Sequence, residues 1–136
     1  MTFLDQTDEV SDQLTSGMIE SLALALPSVL RALVGEADLV VRYGAGCGIH
    51  GDLWLVPMQL NVSSLAEFMQ RSLTQKIFLP GEAEIRIDLK NGQLKVAFCN
   101  EAHLHVGGSS AQLRKELLAS EPFDNINMVG RSDGLG

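Results

Sequence analysis

The stretch "AEIRIDLKNGQLKVAF", residues 83–98, decides the fold because it predicts its own strand pairing. Asn91-Gly92 at its centre is the strongest short signal for a β-hairpin, since both residues tolerate the positive φ angles of a type I′ turn. Opposite charges, Asp88 and Lys95, then face each other on one side of the hairpin. Three apolar pairs share the other side: Leu89 with Leu94, Ile87 with Val96, and Ile85 with Phe98. The hairpin therefore has one face suited to a core and one polar face.

Helical and strand patterns surround this hairpin. The predicted elements, in chain order, are a helix over 11–34 that contains Pro27, strands over 38–43 and 52–62, a helix over 64–75, the hairpin, a strand through Leu104 and Val106, and a helix over 110–119. The helices follow from apolar residues spaced three and four apart and from capping boxes at their starts. The order α-β-β-α-β-β-β-α predicts an α+β fold with a single antiparallel sheet of about five strands and helices packed on one face.

The length of 136 residues suits one domain with a single core. Residues 1–10 are acidic and lack apolar periodicity, so we expect a flexible arm there. The α+β domain is expected over 11–120. Turn-forming residues dominate 121–136, which predicts a C-terminal tail that is partly disordered.

The formal net charge is −7, from 17 acidic and 10 basic residues. Binding to nucleic acid or to anionic lipid depends on clustered Lys and Arg, and the sequence has no such cluster. The charge therefore argues against both classes of partner and favours a basic partner protein. The acidic N-terminus lacks the basic and apolar regions of a signal peptide, so we expect a cytoplasmic protein.

The loop "RYGAGCGIHGD", residues 42–52, spells the glycine pattern Gly46-x-Gly48-x-x-Gly51 of a nucleotide-binding turn. In that motif the third glycine opens a helix whose N-terminus meets the pyrophosphate. A predicted strand follows Gly51 instead, so the pattern does not indicate a nucleotide site.

Every Cys and His of the chain lies in two segments, and all five are residue types that zinc accepts. They are Cys47 and His50 in the glycine-rich loop, and Cys99, His103 and His105 in "CNEAHLH". A zinc-binding protein or a small metalloenzyme is therefore the alternative reading, with Glu101 as its general base. It requires the two segments to meet in space, and their spacing matches no standard zinc module. The preferred reading has no cofactor and no catalytic residue.

The predicted strand over 52–62 is apolar at both odd and even positions, which is typical of a strand covered on both faces. One layer of helices covers only one face, so a second copy or another protein is expected on the other. The expected partner-binding residues are Trp54, Leu55, Val56 and Met58. The sequence thus favours a non-enzymatic protein-binding module, of adaptor, chaperone-like or inhibitor type, that acts as a homodimer.

Overall fold

A computed structural model describes residues 9–49 and 51–129. The described chain is an α+β fold with three α-helices and one antiparallel sheet of seven strands. In chain order the elements are β1 (Glu9–Ser11), α1 (Ser16–Val34), β2 (Asp38–Tyr43), β3 (Met58–Asn61), α2 (Val62–Thr74), β4 (Ile85–Leu89), β5 (Lys95–Phe98), β6 (Leu104–Gly107), α3 (Ala111–Leu118) and β7 (Met128–Val129).

The hairpin register predicted from Asn91-Gly92 is confirmed. Strands β4 and β5 pair with Ile85 opposite Phe98, Ile87 opposite Val96, and Asp88 opposite Lys95. The full order across the sheet is β3-β2-β4-β5-β6-β1-β7, so the hairpin forms its centre. A local turn signal has therefore determined the middle of the sheet, and the other strands add on either side.

The prediction of about five strands was wrong, because the sheet has seven. The two additional strands, Glu9–Ser11 and Met128–Val129, lie where the sequence suggested an arm and a tail. They pair with each other, and β1 also pairs with β6. Strands of two or three residues carry no readable alternation, so only their long-range pairing reveals them. Within residues 9–129 the element order therefore begins and ends with a strand.

The predicted strand over 52–62 is also corrected. Only Met58–Asn61 is a strand, while Gly51–Leu53 forms a short 3-10 helix and the chain turns at residues 54 and 55. The sequence predicted a partner surface here because a strand over 52–62 would be apolar on both faces. Since residues 52–57 are not a strand, that argument does not hold. Helix α2 begins at Val62 with Asn61 as its N-cap and Ser64 as the third helical residue, two residues earlier than predicted.

Helix α1 is continuous through Pro27 and ends at Gly35, whose φ of 67° suits glycine. It is the one helix among the described residues that is long and apolar enough to span a membrane by length and composition. One side of it lies in the protein core: Ile19, Leu22, Ala23, Leu26, Pro27, Val29 and Leu30 are buried. Packing against the sheet and against α2 and α3 accounts for this apolar composition.

The sheet has two different faces. The covered face packs against the helices, and its strand residues alternate into a single core: Leu39, Val41, Ile85, Ile87, Val96, Phe98, Leu104 and Val106. The open face lies on the opposite side, and its intervening positions carry polar residues together with Val40 and Ala97. Because one-residue alternation separates the two faces, the hairpin register assigns each side chain to one or the other.

Candidate functional site

Among the described residues, the longest run of exposed apolar side chains starts at the last residue of the 3-10 helix and continues towards β3. We call these four consecutive residues the knuckle: Leu53 is 51% exposed, Trp54 38%, Leu55 48% and Val56 43%. The other large hydrophobic residues that are exposed in the described chain, Met18, Leu24 and Val129, are not consecutive. Contiguous exposed apolar groups mark contact sites more often than scattered ones do.

Backbone hydrogen bonds hold the knuckle in one shape. The Trp54 N–H donates to the Gly51 carbonyl at 3.1 Å, and the Leu55 N–H donates to the Tyr43 carbonyl at 2.6 Å. The second bond ties the knuckle to the end of β2. Leu55 has a φ of 67°, a left-handed conformation that leucine adopts only at a cost of about 1 kcal/mol or more. The hydrogen bond to Tyr43 thus holds Leu55 in an unfavourable backbone conformation.

Trp54, Leu55 and Val56, three of the four residues expected to bind a partner, belong to the knuckle. The fourth, Met58, lies in β3 opposite Val41 and is half-buried against the core. Sequence reasoning grouped it with the others because it continued the apolar run. Met58 is therefore less exposed than the three residues of the knuckle.

A groove of about 550 Å³ opens on the open face of the sheet beside the knuckle. We call it the groove; its lining residues are Val40, Arg42, Leu55, Arg86, Asp88, Leu89, Lys90, Gly92 and Lys95. Four cations and one carboxylate line it, so its local charge is opposite in sign to that of the whole chain. Leu55 belongs to both surfaces and makes them continuous.

Asp88 is the centre of the charges in the groove. Its Oδ2 lies 3.5 Å from Nη1 of Arg42 and 3.6 Å from Nη2 of Arg86, while its buried Oδ1 accepts no hydrogen bond. Burial raises the pKa of Asp88, and the charges of Arg86, Lys95 and Arg42 lower it only in part. Desolvation of this buried carboxyl group therefore outweighs the stabilisation that the three cations give to its charged form.

The sequence predicted only part of the charge arrangement in the groove. The hairpin predicted that Asp88 faces Lys95. Arg42 and Arg86 come together through the pairing of β2 with β4, which joins residues more than 40 positions apart. No local pattern reports such a pairing, and this is why the sequence did not indicate the groove.

The glycine-rich loop packs against residues 76–84 rather than around a phosphate. The Gly48 N–H donates to the Ile77 carbonyl at 2.9 Å. A Cβ on Gly46 would lie 2.2 Å from the Glu82 carbonyl oxygen, and one on Gly48 would lie 2.4 Å from that of Lys76. Both glycines are therefore explained by close backbone approach.

The thiol of Cys47 points into the same packing. It is buried and donates to the Glu84 carbonyl at 3.1 Å. Burial raises the pKa of this thiol, which keeps it in the protonated form. A metal ligand or a nucleophile needs the thiolate, so these surroundings suit a structural cysteine.

The segment "CNEAHLH" forms a tight turn between β5 and β6. The Cys99 N–H donates to the His103 carbonyl at 3.0 Å, and Nδ1 of His103 hydrogen-bonds the Ser11 carbonyl at 2.9 Å. The second contact ties β6 to β1. The rings of His103 and His105 lie 6.5 Å apart, with an edge-to-face arrangement. His103 thus has a clear role in joining strands.

The zinc alternative requires all five residues to converge. Among residues 9–49 and 51–129, no group of three or more Cys, His, Asp or Glu side chains is placed to bind one metal ion. His50 lies outside the described residues. Cys47 contacts Gly44 and Glu84, whereas His103 contacts Ser11, Cys99 and His105.

No family model, curated protein or solved structure matches this chain. The proposed function therefore rests on the geometry of the knuckle and the groove.

Proposed function

We propose that this protein is a non-enzymatic protein-binding module, of adaptor, chaperone-like or inhibitor type, and that it acts as a homodimer in the cytoplasm. The knuckle is its contact surface. The observation that carries the proposal is the exposure of four consecutive large apolar residues, Leu53–Val56, in a backbone fixed by hydrogen bonds.

The energetics favour association through this surface. Burying the half of such a side chain that is exposed contributes about 1 kcal/mol, so four neighbours supply a useful part of a binding free energy. A fixed backbone also reduces the entropy lost on binding. Trp54 is suited to the centre of the contact, because tryptophan is enriched among the residues that dominate interface energies.

The non-enzymatic part of the proposal rests on the state of the reactive groups. Cys47 is held as a buried thiol that donates to a backbone carbonyl. The two free cysteines, Cys47 and Cys99, are compatible with the reducing conditions of the cytoplasm.

Site-specific photo-cross-linking tests the proposal. The photoreactive residue p-benzoylphenylalanine replaces Trp54 in cells that produce the protein, and a matched control carries it at Gln70, an exposed position on α2. We expect a discrete adduct of twice the chain mass from position 54 and not from position 70. A discrete adduct of another mass would keep the binding function but remove the homodimer. Irradiation without any adduct specific to position 54 would contradict the proposed function.

A further inference from the structure

The open face carries an arrangement that antiparallel sheets normally avoid. Arg42 on β2 and Arg86 on β4 are direct cross-strand partners in the register. Like charges placed directly opposite each other destabilise a pair of strands. Departures from local pairing rules of this kind are expected where a protein has a function to perform.

Asp88 only partly relieves this repulsion. A single oxygen of its carboxylate serves both guanidinium groups, at 3.5 and 3.6 Å, which is long for charge-assisted hydrogen bonds. The facing residue on β5 is a third cation, Lys95, and Lys90 lies at the rim. Arg86 also interacts with Glu84, so two carboxylates face the four cations Arg42, Arg86, Lys90 and Lys95. The groove therefore keeps a net positive charge, which favours a further anionic group.

The walls of the groove restrict the kind of ligand that carries this anionic group. Val40 and Leu55 line the groove together with the cations. Apolar walls favour a ligand in which acidic and apolar groups alternate. An acidic polypeptide segment has this chemistry, whereas a nucleic acid requires a broad basic surface, which a chain of net charge −7 does not offer.

We infer that the groove binds a carboxylate side chain from an acidic, apolar-containing segment of a partner protein. The inference rests on the proposed protein-binding function and specifies the chemistry of one partner. Arg42, Arg86 and Lys95 receive the carboxylate, while Leu55 contacts the neighbouring apolar side chain. This reverses the expectation of a basic partner drawn from net charge, because the local charge of the groove outweighs the distant charges, which salt screens.

Fluorescence anisotropy with a defined probe tests this inference. The probe is a rhodamine-labelled peptide of alternating Glu and Leu, and the matched probe has Gln in place of every Glu. We expect the Glu peptide to bind about tenfold more tightly at physiological ionic strength, and the difference to shrink as salt is added. Equal binding of the two peptides, or binding of neither, would overturn the inference.

Three variants locate the site. Lys95→Gln is expected to weaken binding of the Glu peptide about fivefold, whereas Lys115→Gln, at an exposed position on α3, is expected to leave it unchanged. Asp88→Asn is expected to tighten it, because the competing carboxylate of the groove is removed. Equal effects of the two lysine variants would overturn the assignment to the groove.

A second copy of this chain is the other occupant to test. Sedimentation equilibrium of Lys95→Gln tests this occupant, because a dimer that this change alone dissociates would place a second copy in the groove, and that result would overturn the inference of a different partner. The proposed function is tested separately: cross-linking from position 54 together with failure of the Glu peptide would reject the groove alone. Peptide binding without cross-linking would reject the role of the knuckle.

Discussion

The two faces of the sheet have been built under different constraints. The covered face is a continuous apolar layer in which Ile85, Ile87, Val96 and Phe98 are almost entirely buried. The open face, on the same strands, carries two opposed arginines and a carboxylate with an unsatisfied oxygen. One face follows the rules of a stable core, and the other departs from them. The covered face therefore forms the core, and the open face and the adjoining knuckle carry the charged and exposed apolar groups on which the proposed recognition rests.

The two faces should differ most in the free energy of unfolding that is lost when a side chain of β5 is truncated to alanine. Phe98→Ala removes a fully buried ring that packs against Phe78, with centroids 6.2 Å apart, and should lower the free energy of unfolding by about 3–5 kcal/mol. Lys95→Ala on the open face should change it by less than about 0.5 kcal/mol. Urea unfolding measures both. Similar losses of unfolding free energy from the two variants would contradict the proposed difference between the two faces.

A hydrogen bond within the covered face should contribute an intermediate amount. The hydroxyl of Tyr43, on β2, bonds the buried hydroxyl of Ser72, on α2. Tyr43→Phe leaves the Ser72 hydroxyl without this partner and should cost about 1–3 kcal/mol in urea unfolding. The ring remains stacked on Phe68, so the packing is kept. A variant as stable as the wild type would show that the two hydroxyls are satisfied in another way.

The charges of the open face should appear in the pH dependence of stability. Burial raises the folded-state pKa of Asp88 above its ordinary value of 3.8. A carboxyl group whose pKa is raised on folding contributes stability below that ordinary value, and the contribution is lost as the pH rises through the folded pKa.

Asp88→Asn removes this contribution, so the stability of the variant should fall less than that of the wild type between pH 3.8 and neutrality. Glu84, whose pKa burial also raises, should leave a residual fall of the same sign. Urea midpoints across this pH range are the measurement. An unchanged pH profile would mean that Asp88 is as well stabilised as a carboxylate in water.

The knuckle should show the smallest effect on stability. Leu55→Asn loses part of an apolar side chain but adopts the left-handed backbone more easily, and the two changes should nearly cancel, to within about 0.5 kcal/mol. The same urea experiment measures this. A loss of more than about 2 kcal/mol would make Leu55 a structural residue and would weaken its assignment to a binding surface.

The covered face could be predicted from the sequence, since it follows from local signals. Asn91-Gly92 determined the register of the hairpin, and alternation then identified Ile85, Ile87, Val96 and Phe98 as core residues. The edges of the sheet could not be predicted, because Glu9–Ser11 and Met128–Val129 are too short to show a period.

The candidate site could be predicted only in part. Trp54, Leu55 and Val56 were identified by their apolar character, although through a strand that the structure replaces with a turn. The groove depends on the opposition of Arg42 and Arg86, which arises from the pairing of β2 with β4 and leaves no local mark. The physical reason is the same in each case: tertiary pairing, rather than local preference, brings these residues together.

Sedimentation equilibrium of the wild type, Leu53→Ser and Leu24→Ser tests the central claim most directly. Leu53 in the knuckle and Leu24 on α1 are matched in chemistry and exposure, at 51% and 45%. We predict that the wild type and Leu24→Ser are dimers at micromolar concentration, and that Leu53→Ser is a monomer with an unchanged urea midpoint. A wild type that stays monomeric at millimolar concentration, or a dimer that Leu24→Ser dissociates and Leu53→Ser does not, would contradict the account.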